Sequence, residues 1–271
     1  MSFVILSRRE APPTLAELAA HLAPLGLELG PLLLDHLVVA SPRGAPWSAR
    51  IELASCSGFP APKVPLAPPV RAAFDAARQA ITIHVPRFDP GQALFTVRLI
   101  DPLFQALDGV VLDTVSSRVW GRTEWAARLP GKPFDVRAFI TVLVAPLGKG
   151  RVYVRTSGLT RFDRLELELL SVKAKRDDVA VALLNSLAAH SVEKAPLLPQ
   201  NGADLGGGIT VGFLDPRQFA LAADRMKHPL LEDFSSGRSL LVFDAGGSDL
   251  LAEDVNDALL ERLAQLSQPK G

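Results

Sequence analysis

Arg151-Val152-Tyr153-Val154-Arg155-Thr156 and Leu165-Glu166-Leu167-Glu168-Leu169 each alternate polar and apolar residues. Side chains along a β-strand point to opposite faces in turn, so both segments read as strands with one buried face. Arg151, Tyr153 and Arg155 then share one face, and Glu166 and Glu168 share one face of the next strand. Between them lies the polar turn Thr156-Ser157-Gly158-Leu159-Thr160-Arg161-Phe162. Upstream, residues 137–145 are strand-like and reach Arg151 through a hairpin turn, Leu147-Gly148-Lys149-Gly150.

Toward the N-terminus, residues 1–88 read as β-α-β-β-α-β, the ferredoxin-like order. Residues 3–6 form the first strand. Thr14-Leu15-Ala16-Glu17 is a capping box, and its helix runs to Leu25 and stops at Gly26. Residues 32–40 and 49–54 follow as strands around a turn at 41–44, then a helix at 70–79 and a strand at 81–85. Residues 58–69 hold five prolines and form a loop. Its apolar residues Phe59, Val64 and Leu66 are a candidate interaction surface, because a proline-rich loop loses little entropy when a partner holds it. A rigid crossover packed on its own sheet is the competing account.

The larger part, residues 89–271, begins with a helix capped by Asp89 and Pro90 and interrupted by Pro102. Short strands at 110–113 and 118–120, a helix at 124–129 and the hairpin above come next. A helix at 177–192, a linker at 196–208, strands at 209–214 and 239–243 around a helix near 218–226, and an amphipathic helix at 255–266 complete it. The fold class expected is α+β, with mixed or antiparallel sheets and helices packed on one face. The repeated strand–helix–strand rhythm is compatible with two related α/β halves, or with one continuous domain.

Lys plus Arg and Asp plus Glu each number 29, and no basic run stands out, which argues against a nucleic-acid partner. The densest basic cluster, Lys173, Lys175 and Arg176, is followed at once by Asp177 and Asp178. No segment reaches the roughly 18 apolar residues that span a bilayer, so membrane insertion is not expected. One cysteine, Cys56, permits no intrachain disulfide. A cytoplasmic location is the expectation.

The five histidines, His21, His36, His84, His190 and His228, are scattered without ligand spacing, so neither a metal site nor a cofactor is expected. His36 and His84 fall in expected strands as hydrogen-bonded face residues. Gly-x-Ser-x-Gly and the phosphate-loop pattern are absent. Gly206-Gly207-Gly208 precedes a strand, whereas phosphate-binding glycines precede a helix. Glu166 and Glu168 could divide acid and base roles. Alternatively, Arg151 and Arg155 neutralise them across neighbouring strands.

The Thr156–Phe162 turn followed by Glu166-Leu167-Glu168 resembles a signature of uncharacterised bacterial α/β proteins, Thr-His-Gly-Met/Leu-x-x-Phe-Gly before an acidic strand. Ser157 stands where that signature has His, and Asp163 where it has Gly. The resemblance implies no activity. The leading expectation is a non-catalytic protein-binding module, an adaptor, immunity or assembly component acting on a protein partner or on itself. The alternative is a small-ligand-binding or hydrolase-like enzyme with a polar site around Arg155, Ser157, Arg161, Glu166 and Glu168, with Arg151 beside it.

Overall fold

Ser2–Ser7 (β1) is apolar at every position from Phe3 to Leu6, and all four are at most 2% exposed. A strand needs apolar residues of both parities only when neither face meets water. The structure, a computed structural model, describes residues 2–32, 36–41, 47–56, 59, 62, 65–86, 88–199, 201–215, 239–246, 254 and 256–266. The chain divides into two units, Met1–Phe139 and Ile140–Gly271. Each is α+β, built on a mostly antiparallel sheet.

In the first unit β1 is followed by Leu15–Leu22 (α1), Glu28–Leu32 (β2), His36–Ala40 (β3), Ser48–Ser55 (β4), Pro68–Asp75 (α2) and Gln79–His84 (β5). Pro90–Ala106 (α3), Gly109–Asp113 (β6), Arg118–Trp120 (β7) and Arg122–Arg128 (α4) complete it. The seven strands lie in the order β2-β3-β4-β5-β1-β6-β7. The stretch 32–40, expected as one strand, contributes to two antiparallel strands, with Leu29 opposite Val39. The expected boundary at residue 88 lies inside this sheet, because β6 pairs along β1 from Phe3↔Asp113 to Ser7↔Gly109.

The capping box forms as read: Thr14 Oγ1 accepts from the Glu17 amide at 3.1 Å, and the Thr14 amide donates to Glu17 Oε2 at 2.6 Å. Gly26 ends the following 3₁₀ turn at φ +63°. Asp89 caps α3 by accepting from the Gln92 amide at 2.8 Å.

Helices lie on both faces of this sheet. Val4, Leu6, Ala80, Val110, Leu112 and Val119 make one face, covered by Val70, Ala73 and Phe74 of α2. The opposite pleat, with Ile5, Ile51, Ile81 and Ile83 at 0% exposure, is closed by α1 and α3, which pack together and against β3 and β6. Phe104, Trp125 and Trp120 seal the β7 end edge to face, at 5.9 and 6.2 Å between ring centroids. The Trp125 indole N–H donates to Asp101 Oδ1 at 3.0 Å.

The second unit comprises Thr141–Gly148 (β8), Arg151–Ser157 (β9), Glu166–Lys173 (β10), Asp177–Glu193 (α5), Gly202–Gly206 (β11), Ile209–Leu214 (β12), Ser239–Asp244 (β13) and Asp257–Leu266 (α6). Its order is β11-β12-β13-β10-β9-β8, with one parallel pair, β10 with β13. α5 packs on β8, β9 and β10 through Ala180, Leu183, Leu184, Leu187, Ala188 and Ser191, a helical stripe. The stretch 196–208, expected as a linker, contains β11. Gly206, Gly207 and Gly208, at φ +83°, +61° and +74°, form the tight turn into β12. The helix expected near 218–226 lies outside the described residues. Among them no helix is long and apolar enough to cross a membrane.

Gly109 begins β6 so close to β1 that a Cβ there would stand 1.8 Å from the Leu6 carbonyl oxygen. The obstacle is backbone of the central strand, which cannot turn aside. Gly109→Ala should therefore cost about 2–3 kcal/mol or more and lower Tm by roughly 5–10 °C, read by thermal denaturation.

Candidate functional site

β9 and β10 pair with Glu168 opposite Arg155, so these two side chains share a face as the alternation predicts. Arg155 Nε stands 3.3 Å from Glu168 Oε1. Glu168 is fully buried, and the Tyr153 and Ser239 hydroxyls face the same carboxyl group. Burial pushes this carboxyl up to about 7, outweighing the opposing pull of Arg155 and of the two hydroxyls.

Glu166 is also buried, yet it is placed differently. Its Oε2 accepts from Thr156 Oγ1 at 2.8 Å, and its Oε1 accepts from the amides of Gly158 at 2.8 Å and Thr160 at 3.3 Å. Thr156 Oγ1 in turn accepts from the Leu167 amide at 2.7 Å. Glu166 therefore ties the Ser157–Phe162 turn to the start of β10. Arg161 lies buried inside that turn, at 3% exposure. Ser157 stands at the end of β9, opposite Thr141.

Arg151 joins neither glutamate. It donates to Asp257 Oδ2 at 2.9 Å, and Lys173 Nζ reaches the same oxygen at 3.0 Å. A β-bulge between Leu169 and Val172, with Ser171 at φ +53°, brings Lys173 opposite Arg151. Asp257, the first residue of α6, neutralises both. Of the six polar residues singled out in the sequence, the structure thus joins Arg155 to Glu168. Glu166, Ser157 and Arg161 gather at the neighbouring turn, and Arg151 sits at the far end of β9.

In the proline-rich loop, Phe59 and Leu66 are partly buried and pack against the first unit's core. Val64 lies outside the described residues. Cys56 packs against the same core, and burial raises its thiol.

One polar relay in the first unit leaves no trace in the sequence. Ser2 Oγ lies 2.8 Å from His84 Nδ1, and His84 Nε2 lies 2.9 Å from Glu52 Oε2, which is also paired to Arg50. Three strands supply it, and β5 lies between the other two. Only pairing register places these residues together, and register is not legible in one chain. The order serine, histidine, carboxylate is that of a nucleophile relay. Such a relay also needs donors aimed at a developing oxyanion. Ser2 belongs to a central strand, between β5 and β6, whose backbone is engaged in the sheet ladders. Its carbonyl also accepts from the Thr114 hydroxyl at 2.7 Å.

Among the described residues no three His, Cys, Asp or Glu side chains converge to hold a metal ion. Compared with protein-family models, curated proteins and solved structures, the chain matches none.

The two glutamates should respond oppositely to loss of charge. Glu166→Gln replaces an acceptor of three donors with a group that offers N–H to them, and should cost about 2–3 kcal/mol in denaturant unfolding. Glu168 binds its proton more tightly folded than unfolded. Its contribution is complete below its usual value near 4.5 and is lost as pH rises through about 7. From pH 5 to 8 the native protein should lose roughly 3 kcal/mol through this group, and Glu168→Gln should flatten that decline.

Proposed function

We propose that the chain is a non-catalytic protein-binding module, of the adaptor, immunity or assembly kind, and that it docks through the open edge of β8. The observation that carries the reading is the composition of that edge. β8 ends the second sheet with β9 as its one neighbour among the described residues. It runs eight residues, Thr141-Val142-Leu143-Val144-Ala145-Pro146-Leu147-Gly148, without a charge, and Val144 is 41% exposed.

Edge strands are ordinarily protected from pairing by charge, proline, bulges or shortness. The other three edges carry such protection. β2 has Glu28, Pro31 and a register shift; β7 has three residues; β11 has Asp204 and a register shift. In β8 the proline and the irregularity fall at Pro146–Gly148, beside the hairpin. Thr141–Ala145 is left as an uncharged edge that an added strand can extend. The occupant favoured is β8 of a second copy, since an antiparallel pair of uncharged edges is self-complementary under a two-fold axis.

The buried Glu168, with Arg155, Tyr153 and Ser239 around it, is the observation that favours the enzymatic alternative. Full burial keeps substrate from it, and Glu166 is already engaged by three donors. The binding role therefore takes precedence.

Sedimentation equilibrium at about 100 μM should find a dimer, and Val144→Lys should return it to monomer, with Tm measured at high dilution, where both chains are monomeric, changed by no more than about 2 °C. A wild-type chain that stays monomeric at that concentration would overturn strand pairing between copies.

A further inference from the structure

A cavity of about 380 Å³ opens in the first unit between Trp47 and α3. Its walls are apolar: Leu27, Trp47, Leu94, Phe95 and Leu99. The Trp47 indole lies against the helix backbone at Gly91, where an added Cβ would meet the ring at 2.2 Å. Gly91 is thus what allows the ring to close the cavity on that side. Trp47 and Phe95 stand 6.4 Å apart, tilted by 36°.

One cation borders this space. Arg98 lies one helical stripe along from Gly91, Leu94 and Phe95, and it is exposed. Among the described residues it has neither a carboxylate nor a carbonyl partner. Every other described arginine of this unit has one: Arg8 with Asp108, Arg9 with Glu17, Arg50 with Glu52, Arg71 with Asp75, Arg78 with Glu10, Arg118 and Arg128 with Glu124, Arg122 with the Phe104 carbonyl and Arg137 with Asp135.

We propose that this cavity binds a small amphipathic carboxylate, its apolar body between Trp47 and Leu94 and its carboxylate on Arg98. A largely apolar recess of a few hundred Å³ with a few polar groups is the usual form of a small-molecule site, and Ser41 and Arg98 are the polar residues that line this one. At about 380 Å³ the space falls in the size range of small-molecule sites, which a medium-length alkyl body suits. A guanidinium presents two parallel N–H donors, the complement of a carboxylate. The proposal rests on the first unit alone and stands apart from the role given to β8.

Isothermal titration of the full chain with decanoate, and with decanol as the uncharged body, separates the two contributions. Trp120 and Trp125 are at most 1% exposed, so a change in tryptophan emission on binding reports Trp47. Decanoate should bind saturably and more tightly than decanol. Arg98→Ala should weaken decanoate about tenfold, to the level of decanol, and leave decanol unchanged. Leu94→Trp, which fills the cavity, should abolish both heats. No saturable binding of decanoate by the wild type up to about 1 mM would overturn the proposal. So would binding that Arg98→Ala leaves unchanged.

Discussion

Residues 3–6 of β1 and 166–169 of β10 are flanked by strands on both sides and buried on both faces, so neither stretch offers water to a polar side chain. β1 meets this constraint with apolar residues at both parities. β10 does not: it carries Glu166 and Glu168 into the interior. Each carboxylate must then be satisfied by protein groups or give up its charge. Glu166 is satisfied, with a hydroxyl and two amides on its oxygens. Glu168 has Arg155 beside it, yet burial outweighs that cation and the carboxyl holds its proton up to about pH 7. The shape of the turn before β10 and the charge state of its centre both follow from two polar residues placed on a dry strand.

The same constraint separates the edges from the centres. A central strand covered on both faces, such as β1, carries an apolar run, and one with a wet face, such as β3, alternates; edge strands have one unpaired side and need a device against unwanted pairing. Three edges have such a device along their length. β8 has its proline and its irregularity only at the hairpin end, which is why its first five residues stand out against the rest of the molecule.

Local signals were legible in the sequence where the physics is local. The Thr14–Glu17 box, the Gly26 stop, the Asp89 cap and the 147–150 hairpin each depend on residues a few positions apart, and each formed as read. Long-range placement was not legible. Alternation put Arg155 and Glu168 on a common face but could not say that this face is buried. The spacing did hold an unused clue: Arg151 and Arg155 are four residues apart, Glu166 and Glu168 two, so direct pairing could satisfy only one arginine. The other found Asp257, on a helix far along the chain, after the bulge at Ser171 brought Lys173 beside it. The glycines at 206–208 are compatible in sequence with a flexible or a tight connection, and they make the tight turn of a hairpin. The relay of Ser2, His84 and Glu52 needed the strand order itself, with β5 between β4 and β1.

The parallel pairing of β10 with β13 has a kinetic consequence. β8, β9 and β10 are joined by short turns, so their pairing closes small loops and is fast; Glu166 meets Ser239 only after a far longer loop closes. Loop-closure entropy therefore favours the β8–β9–β10 meander over the pairing with β13. Without β13, β10 would be an edge open to water, and Glu168 would have no reason to hold a proton. Docking of β13 brings Ser239 and Leu241 alongside and removes the water. Proton uptake by Glu168 thus belongs to the long-range pairing of β10 with β13, and the hairpins formed by neighbouring strands carry no such requirement.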